Sequence, residues 1–273
     1  MVQEYTRPSS IEEALAARAA NPASRFLAGG TFLLAGDRRE KPQAVIDIGK
    51  LVPSAIERRG EVLAIGAGAT FQDLADSDIV PPVLRKAALT MVNRNVRNRA
   101  TAGGNLAAGK SCATLAPLAL AFEARILFSE LLNGAPRPGS MAAAEWMASP
   151  RGLLTAIEFP LGAKEHPAKA AYGRYARTSC DLSVLTVAVL MAGGTGPLSG
   201  LRIAMGGLGP RARRFPELEE LFEGKPLPQK SDIEALARSL FSPRADWRGS
   251  AGYKALRAAS LLADALHDAE ETR

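Results

Sequence analysis

The chain has 273 residues, 47% of them apolar, and a formal net charge of +6. That is room for one large domain or two smaller ones around a sizeable core, and no apolar run approaches the length of a membrane span. Two isolated cysteines, Cys112 and Cys180, and two histidines, His166 and His267, are too few ligands for a zinc or iron–sulfur site built by this chain alone.

Cysteines without a framework suit a reducing compartment, and the polar start MVQEYTRPSS has no apolar signal core, so a cytoplasmic protein is expected. No basic block comes with interleaved aromatics, which gives no support for nucleic-acid binding. In chain order, Ser10 and Glu13 form a capping box that opens the helix IEEALAARAA, and Asn21-Pro22 closes it. Arg25–Leu34, RFLAGGTFLL, reads as a short apolar strand running into a Gly-Gly turn. Ala44–Ile48, AVIDI, is a compact β-branched strand, and Val62–Gly68 a second one ending in glycines. Thr70 and Asp73 cap a short helix, and Pro81-Pro82 opens another.

Arg97–Ile126 then runs from basic residues through a glycine turn into a helix over Thr114–Glu123 and a strand over Arg125–Phe128. Leu131–Pro150, rich in Gly, Pro, Ala and Met, reads as an irregular connection with one short helix near Met141–Met147. Leu153–Pro160 is a strand closed by proline, and polar Gly162–Lys169 is the expected domain boundary. Beyond it, Ala171–Arg177, Leu182–Met191 and Leu201–Met205 read as a three-stranded sheet. Helices follow at Phe215–Phe222, at Asp232–Phe241 (capped by Ser231 with Glu234) and at Ser250–His267.

Two stretches invite phosphate chemistry, because glycine lets backbone approach an anion and clustered amides attract it. Gly104–Ser111, GNLAAGKS, fits the P-loop pattern. Its context argues against that reading: the preceding residues are too polar for a buried strand, and neither Glu130 nor Glu158 is convincing as a magnesium-holding acid. The second signal is a pair, AGGT at Ala28–Thr31 and AGGN at Ala102–Asn105, which suggests two glycine turns gripping two ends of one phosphate-bearing ligand. No nucleophile, general acid or base, or metal cluster accompanies them. A protein that holds a cofactor is therefore expected, with the cofactor supplying the reactivity.

With these motifs in hand, the chain resembles the medium, FAD-binding subunits of the molybdenum hydroxylases, the xanthine dehydrogenase and carbon monoxide dehydrogenase family. FLAGGTFL at Phe26–Leu33 resembles the first flavin loop, IGAGAT at Ile65–Thr70 the G-A-x-x-T turn, and VRNRATAGGNL at Val96–Leu106 the second loop. ATLAPLALAFEA at Ala113–Ala124 resembles the following helix, and DWRGSAGY at Asp246–Tyr253 the D-x-R-G-S-x-x-Y motif.

The resemblance implies an α+β fold. A vanillyl-alcohol-oxidase-type FAD-binding domain would cover residues 1–162, in subdomains of about 1–52 and 53–162. A C-terminal α+β domain over 168–273 would follow. It implies that Leu27, Ala28, Gly29, Gly30 and Thr31 bind the FAD pyrophosphate, mainly through backbone N–H groups, with Phe32 and Leu33 of the same loop also binding the cofactor. Thr101, Ala102, Gly103, Gly104 and Asn105 would form the second clamp, and Leu153 and Leu154 would lie near the ring systems. Thr114 stands where the family commonly has an aspartate, so a hydroxyl replaces a charge there. Partner subunits would carry a molybdopterin cofactor (large) and 2Fe–2S clusters (small), with NAD or a quinone as acceptor. The competing readings are a P-loop nucleotide hydrolase and a scaffold that has lost its flavin.

Overall fold

The structure is a computed structural model of the chain, in which residues 2–35, 41–162, 168–194 and 196–271 are described. His166 and most of the expected boundary Gly162–Lys169 lie outside the described residues.

The chain opens with β1 (Glu4–Thr6), α1 (Ile11–Ala20), β2 (Arg25–Leu27) and β3 (Ala44–Asp47). The three strands form a parallel sheet in the order β1-β3-β2, with AVID at its centre because its β-branched side chains pack on both faces. Ser10 caps α1 by accepting from the Glu13 amide at 3.1 Å. The Glu13 carboxylate closes back on Ser9 rather than on Ser10.

A second group comes next: β4 (Ile56–Arg59), β5 (Val62–Gly66), α2 (Phe71–Asp76), α3 (Pro82–Leu89), α4 (Arg94–Arg97), α5 (Ala102–Ala107), α6 (Leu115–Ala121), β6 (Arg125–Leu132), β7 (Ala135–Ala142), α7 (Ala143–Ala148) and β8 (Leu153–Pro160). Its strands make one antiparallel sheet, β4-β5-β8-β6-β7. Thr70 and Asp73 form the expected capping box on α2. Two expectations fail here. Residues 131–142 are not an irregular connection, because β6 and β7 form a regular hairpin of eight-residue strands, although the expected short helix near Met141–Met147 does form as α7. Asn133 and Gly134, at φ 52° and 76°, supply the tight turn, and Asn-Gly suits a type I′ hairpin. Pro136 and Pro138 are tolerated because β7 is an edge strand, where a missing donor costs no ladder bond. Nor is TAGGN a free turn: Ala102–Ala107 is helical.

The last third contains β9 (Lys169–Tyr175), β10 (Leu185–Met191), β11 (Arg202–Gly206), β12 (Arg213–Arg214), α8 (Pro216–Phe222), α9 (Lys230–Leu240) and α10 (Ala251–Glu271). The three expected strands gain a two-residue edge partner, giving the antiparallel order β12-β11-β10-β9. Helix α9 begins at Lys230 with Gln229 at the cap and no side-chain cap bond, so the expected Ser231–Glu234 cap is not formed.

Helix α6 joins the two halves. Every one of its residues is buried, as a helix apolar on all sides requires. Pro117 falls within its first turn, where no N–H is missed. One face of the C-terminal sheet, with Ala188, Leu190 and Ala204, belongs to the first core. Val187, Val189, Ile203 and Met205 point the other way, into a second core with α10. The small alanines let α6 lie close to β10 and β11. Each fully buried Leu of α6, such as Leu115 and Leu118, contributes roughly 1.5–3 kcal/mol.

Candidate functional site

The first glycine loop leaves the end of β2. Its backbone turns at Gly30 (φ 72°), and a single helical turn closes from Leu34 N–H to Gly30 O at 2.9 Å. Gly29 has no room for a side chain, since a Cβ there would lie 1.6 Å from Arg99 O. The Arg99 guanidinium in turn donates to Gly29 O at 3.4 Å. Among the described residues, the Gly29, Gly30 and Thr31 amides find no acceptor. Successive unengaged amides beside an arginine make a ready cradle for an anion.

The second segment is built differently. Thr101 is the N-cap of α5, and its hydroxyl accepts from Gly104 N–H at 3.1 Å. Ala102 N–H donates to Ala69 O at 2.8 Å, Gly103 N–H to Ala67 O at 2.9 Å, and Asn105 N–H to Thr101 O at 2.9 Å. The amides of Ala102, Gly103, Gly104 and Asn105 are therefore used inside the protein. A Cβ on Gly103 would sit 2.7 Å from the Ala67 Cβ, so this glycine permits close docking onto the Gly66–Thr70 turn. Thr70 and Thr101 pair as an isolated β-bridge along that seam. Asn105 turns its side-chain oxygen to Leu115 N–H at 2.9 Å, capping α6.

Residues 27–33 and 99–105 thus meet at Gly29–Arg99, and 101–105 rest on the Gly66–Thr70 turn. Thr114 heads α6; it is buried, and its side chain makes no cap bond. The Tyr172 hydroxyl faces Thr90 and Thr114, is fully buried, and completes a hydrogen bond with neither. Burial pushes its pKa up to about 12. Leu153 and Leu154 are core residues at the start of β8, 3% and 5% exposed, with α5 packed on that strand.

The GKS pattern forms no phosphate loop. Gly104–Ala107 is already helix, and α4 with a short turn stands where a strand is needed. The sequence motifs did not single out Arg99, and Lys110, exposed just after the turn that ends α5, enters only as part of the GKS pattern. Lys110 Nζ lies 5.2 Å from the Phe32 ring centroid, so it reaches the first loop from the second segment. The signal for Arg99 was the basic run before TAGGN, which is also what an ordinary surface looks like.

A glycine loop with open amides, joined to a second glycine segment through Gly29 and Arg99 and with no acid–base pair beside it among the described residues, is an arrangement suited to holding an anionic cofactor. Comparison with known families agrees. Residues 1–162 match the FAD binding domain in molybdopterin dehydrogenase, and residues 170–269 match the CO dehydrogenase flavoprotein C-terminal domain. The chain belongs to the family of FAD-binding medium subunits of the molybdenum hydroxylases. The protein YgfM of Escherichia coli is 31% identical over 274 residues, covering 99% of this chain and 98% of that one. The carbon monoxide dehydrogenase medium chain of Hydrogenophaga pseudoflava is 30% identical over 279 residues, covering 97% and 96%. A solved structure of carbon monoxide dehydrogenase from that organism, lacking the Mo-pyranopterin moiety of its molybdenum cofactor, superimposes with a TM-score of 0.87 at 29% identity. That match covers 98% of this chain and 97% of the solved one. The fold is therefore the α+β arrangement of an oxidoreductase subunit, and no described helix is long and apolar enough to cross a membrane.

Proposed function

We propose that this subunit carries electrons between a 2Fe–2S partner subunit and an acceptor such as NAD or a quinone. Substrate oxidation then takes place on a large molybdopterin-binding partner. The unengaged amides of Gly29, Gly30 and Thr31, set beside Arg99, are the observation that carries this reading. They suit the pyrophosphate of FAD, together with Leu27, Ala28, Phe32 and Leu33 of the same loop. FAD supplies the redox chemistry, which the side chains gathered here cannot.

The second segment contributes a wall more than donors. Gly103 and Gly104 keep Cβ atoms out of the way, Thr101 and Ala102 fix the helix, and Asn105 retains a side-chain NH2 with no partner among the described residues. Thr114 offers a neutral hydroxyl beside that of Tyr172. Leu153 and Leu154, core residues of the strand on which α5 packs, would lie near a ring system through that helix. The domains divide at the polar segment after residue 162. The two free cysteines fit a reducing, cytoplasmic setting.

The test is an FAD titration of the full chain, read by flavin fluorescence, followed by purification with its partners. The expected result is saturable binding and a visible flavin spectrum that bleaches when the large subunit's substrate is added. A folded chain that takes up no FAD, alone or in complex, would establish the flavin-free scaffold instead.

A further inference from the structure

Two motifs remain unexplained by the site: the GKS turn, and the DWRGSAGY segment at the start of α10. The structure joins them. Arg248 is nearly buried, its side chain 10% exposed. One edge of its guanidinium grips Asp246 Oδ2, at 2.7 Å from Nη2 and 3.2 Å from Nε. Nη1 donates to Ser183 O at 2.9 Å, and Nη2 reaches the other half of the molecule, donating to Ser111 Oγ at 3.0 Å.

Asp246 is itself fixed from behind by Lys254, 1% exposed and 2.8 Å away. Lys254 also donates to Arg244 O at 3.0 Å. Burial pushes the Asp246 carboxyl up, but the hydrogen bonds from Arg248 and Lys254 outweigh it and hold the group below the usual carboxylate range. The opposing surface is shaped to match: a Cβ on Gly206 would lie 2.5 Å from Ser111 O, so only glycine lets Ser111 lie against β11. Immediately before Ser111, Lys110 extends to Phe32 of the first glycine loop.

We propose that Arg248 is a positioning residue, a latch that pins Ser111 to the C-terminal domain and so holds Lys110 over the first glycine loop. The serine of the apparent P-loop then serves the arginine, not a magnesium ion. Arginine is required because a lysine presents no planar fork and cannot serve Asp246, Ser183 and Ser111 together. In this arrangement the C-terminal domain sets how tightly the cofactor site closes, although none of its residues named here touches the first loop.

The inference rests on the FAD reading above, and two measurements on the full chain separate them. The first is amide hydrogen exchange at residues 109–114 in the FAD-free chain. Ser111→Ala is expected to speed exchange there, and Ser111→Thr, which keeps the hydroxyl, to restore the slow rate. The second is FAD affinity by titration. Ser111→Ala and Arg248→Lys are each expected to weaken FAD about tenfold, the loss of one charge-assisted hydrogen bond. The double variant should be little worse than either single. Ile233→Ala, in the second core and remote from the latch, lowers the melting temperature and serves as control, with FAD affinity expected unchanged. Unaltered exchange in Ser111→Ala overturns the latch. So does an FAD affinity that follows melting temperature across all variants, Ile233→Ala included, since seam stability alone then explains it. Wild-type chain that binds no FAD overturns the proposed function, while faster exchange in Ser111→Ala would still support the pinning of Ser111.

Discussion

The two AGG segments look alike in sequence and are opposite in structure. Ala28–Gly30 leaves a strand, and among the described residues its glycine amides find no acceptor. Ala102–Gly104 begins a helix and commits its amides to Ala69 O, Ala67 O and the Thr101 hydroxyl. The residue in front decides. Thr101 can cap a helix; Leu27, the last residue of β2, has no side-chain acceptor to do so. The residues after the glycines reinforce the choice, since Asn-Leu-Ala-Ala continues a helix, whereas Thr31 opens only a single turn. A repeated glycine motif is thus two devices, one leaving its amides open and one docking a helix onto the Gly66–Thr70 turn.

The comparison breaks hardest at Gly29. Gly29→Ala places a methyl 1.6 Å from Arg99 O, a backbone atom that cannot swing away. The loss of stability should reach or exceed the upper end of the roughly 1–3 kcal/mol usual for overpacking. FAD binding should fail in the fraction that still folds. Thermal melts with and without FAD check both. Gly103→Ala comes next. Its methyl meets the Ala67 Cβ at 2.7 Å and Ala67 O at 3.0 Å, so the second segment must lift from the Gly66–Thr70 turn. A cost of about 1–3 kcal/mol is expected, with FAD affinity falling less than in Gly29→Ala because no open amide is displaced.

Much of the fold is legible in the sequence, and the failures have physical causes. AVID, VLAIG and LLTAIEFP read as strands because they are apolar, partly β-branched and buried. The β6–β7 hairpin was hidden by Pro136 and Pro138, which argue against a strand only when it lies inside a sheet; Asn133-Gly134 was the available clue. Strand β4, IERR, is an exposed edge with no hydrophobic pattern to see. The glycine motifs marked two segments that the fold brings together at Gly29 and Arg99, but not which of their amides were already taken. That depends on Ala67 and Ala69, over thirty residues upstream, and no local pattern encodes it.

A milder pair of changes separates the two threonines. Thr101→Ala removes the N-cap of α5 and should cost about 1 kcal/mol, read as a lower melting temperature. Thr31→Ala, at an exposed position outside any helix of the fold, should change stability by less than about 0.5 kcal/mol. Equal losses at both positions would mean that the two turns are equivalent after all, as their letters suggest.

The smallest effect is the most informative. Gly104 lies in α5, and its Cβ would meet only the Thr101 hydroxyl, at 2.7 Å. Replacing a helical glycine by alanine gains roughly 0.5–1 kcal/mol, but here the methyl pushes the cap aside and forfeits about as much. Gly104→Ala alone is therefore expected to be near neutral. In the Thr101→Ala background the cap is already gone and nothing is left to push. There Gly104→Ala should stabilise the chain by about 0.5–1 kcal/mol. Chemical denaturation of the four chains in this cycle measures the coupling. If Gly104→Ala has the same effect in both backgrounds, the Thr101 cap is not what glycine at 104 accommodates. The requirement for glycine would then come from the ligand side of the wall.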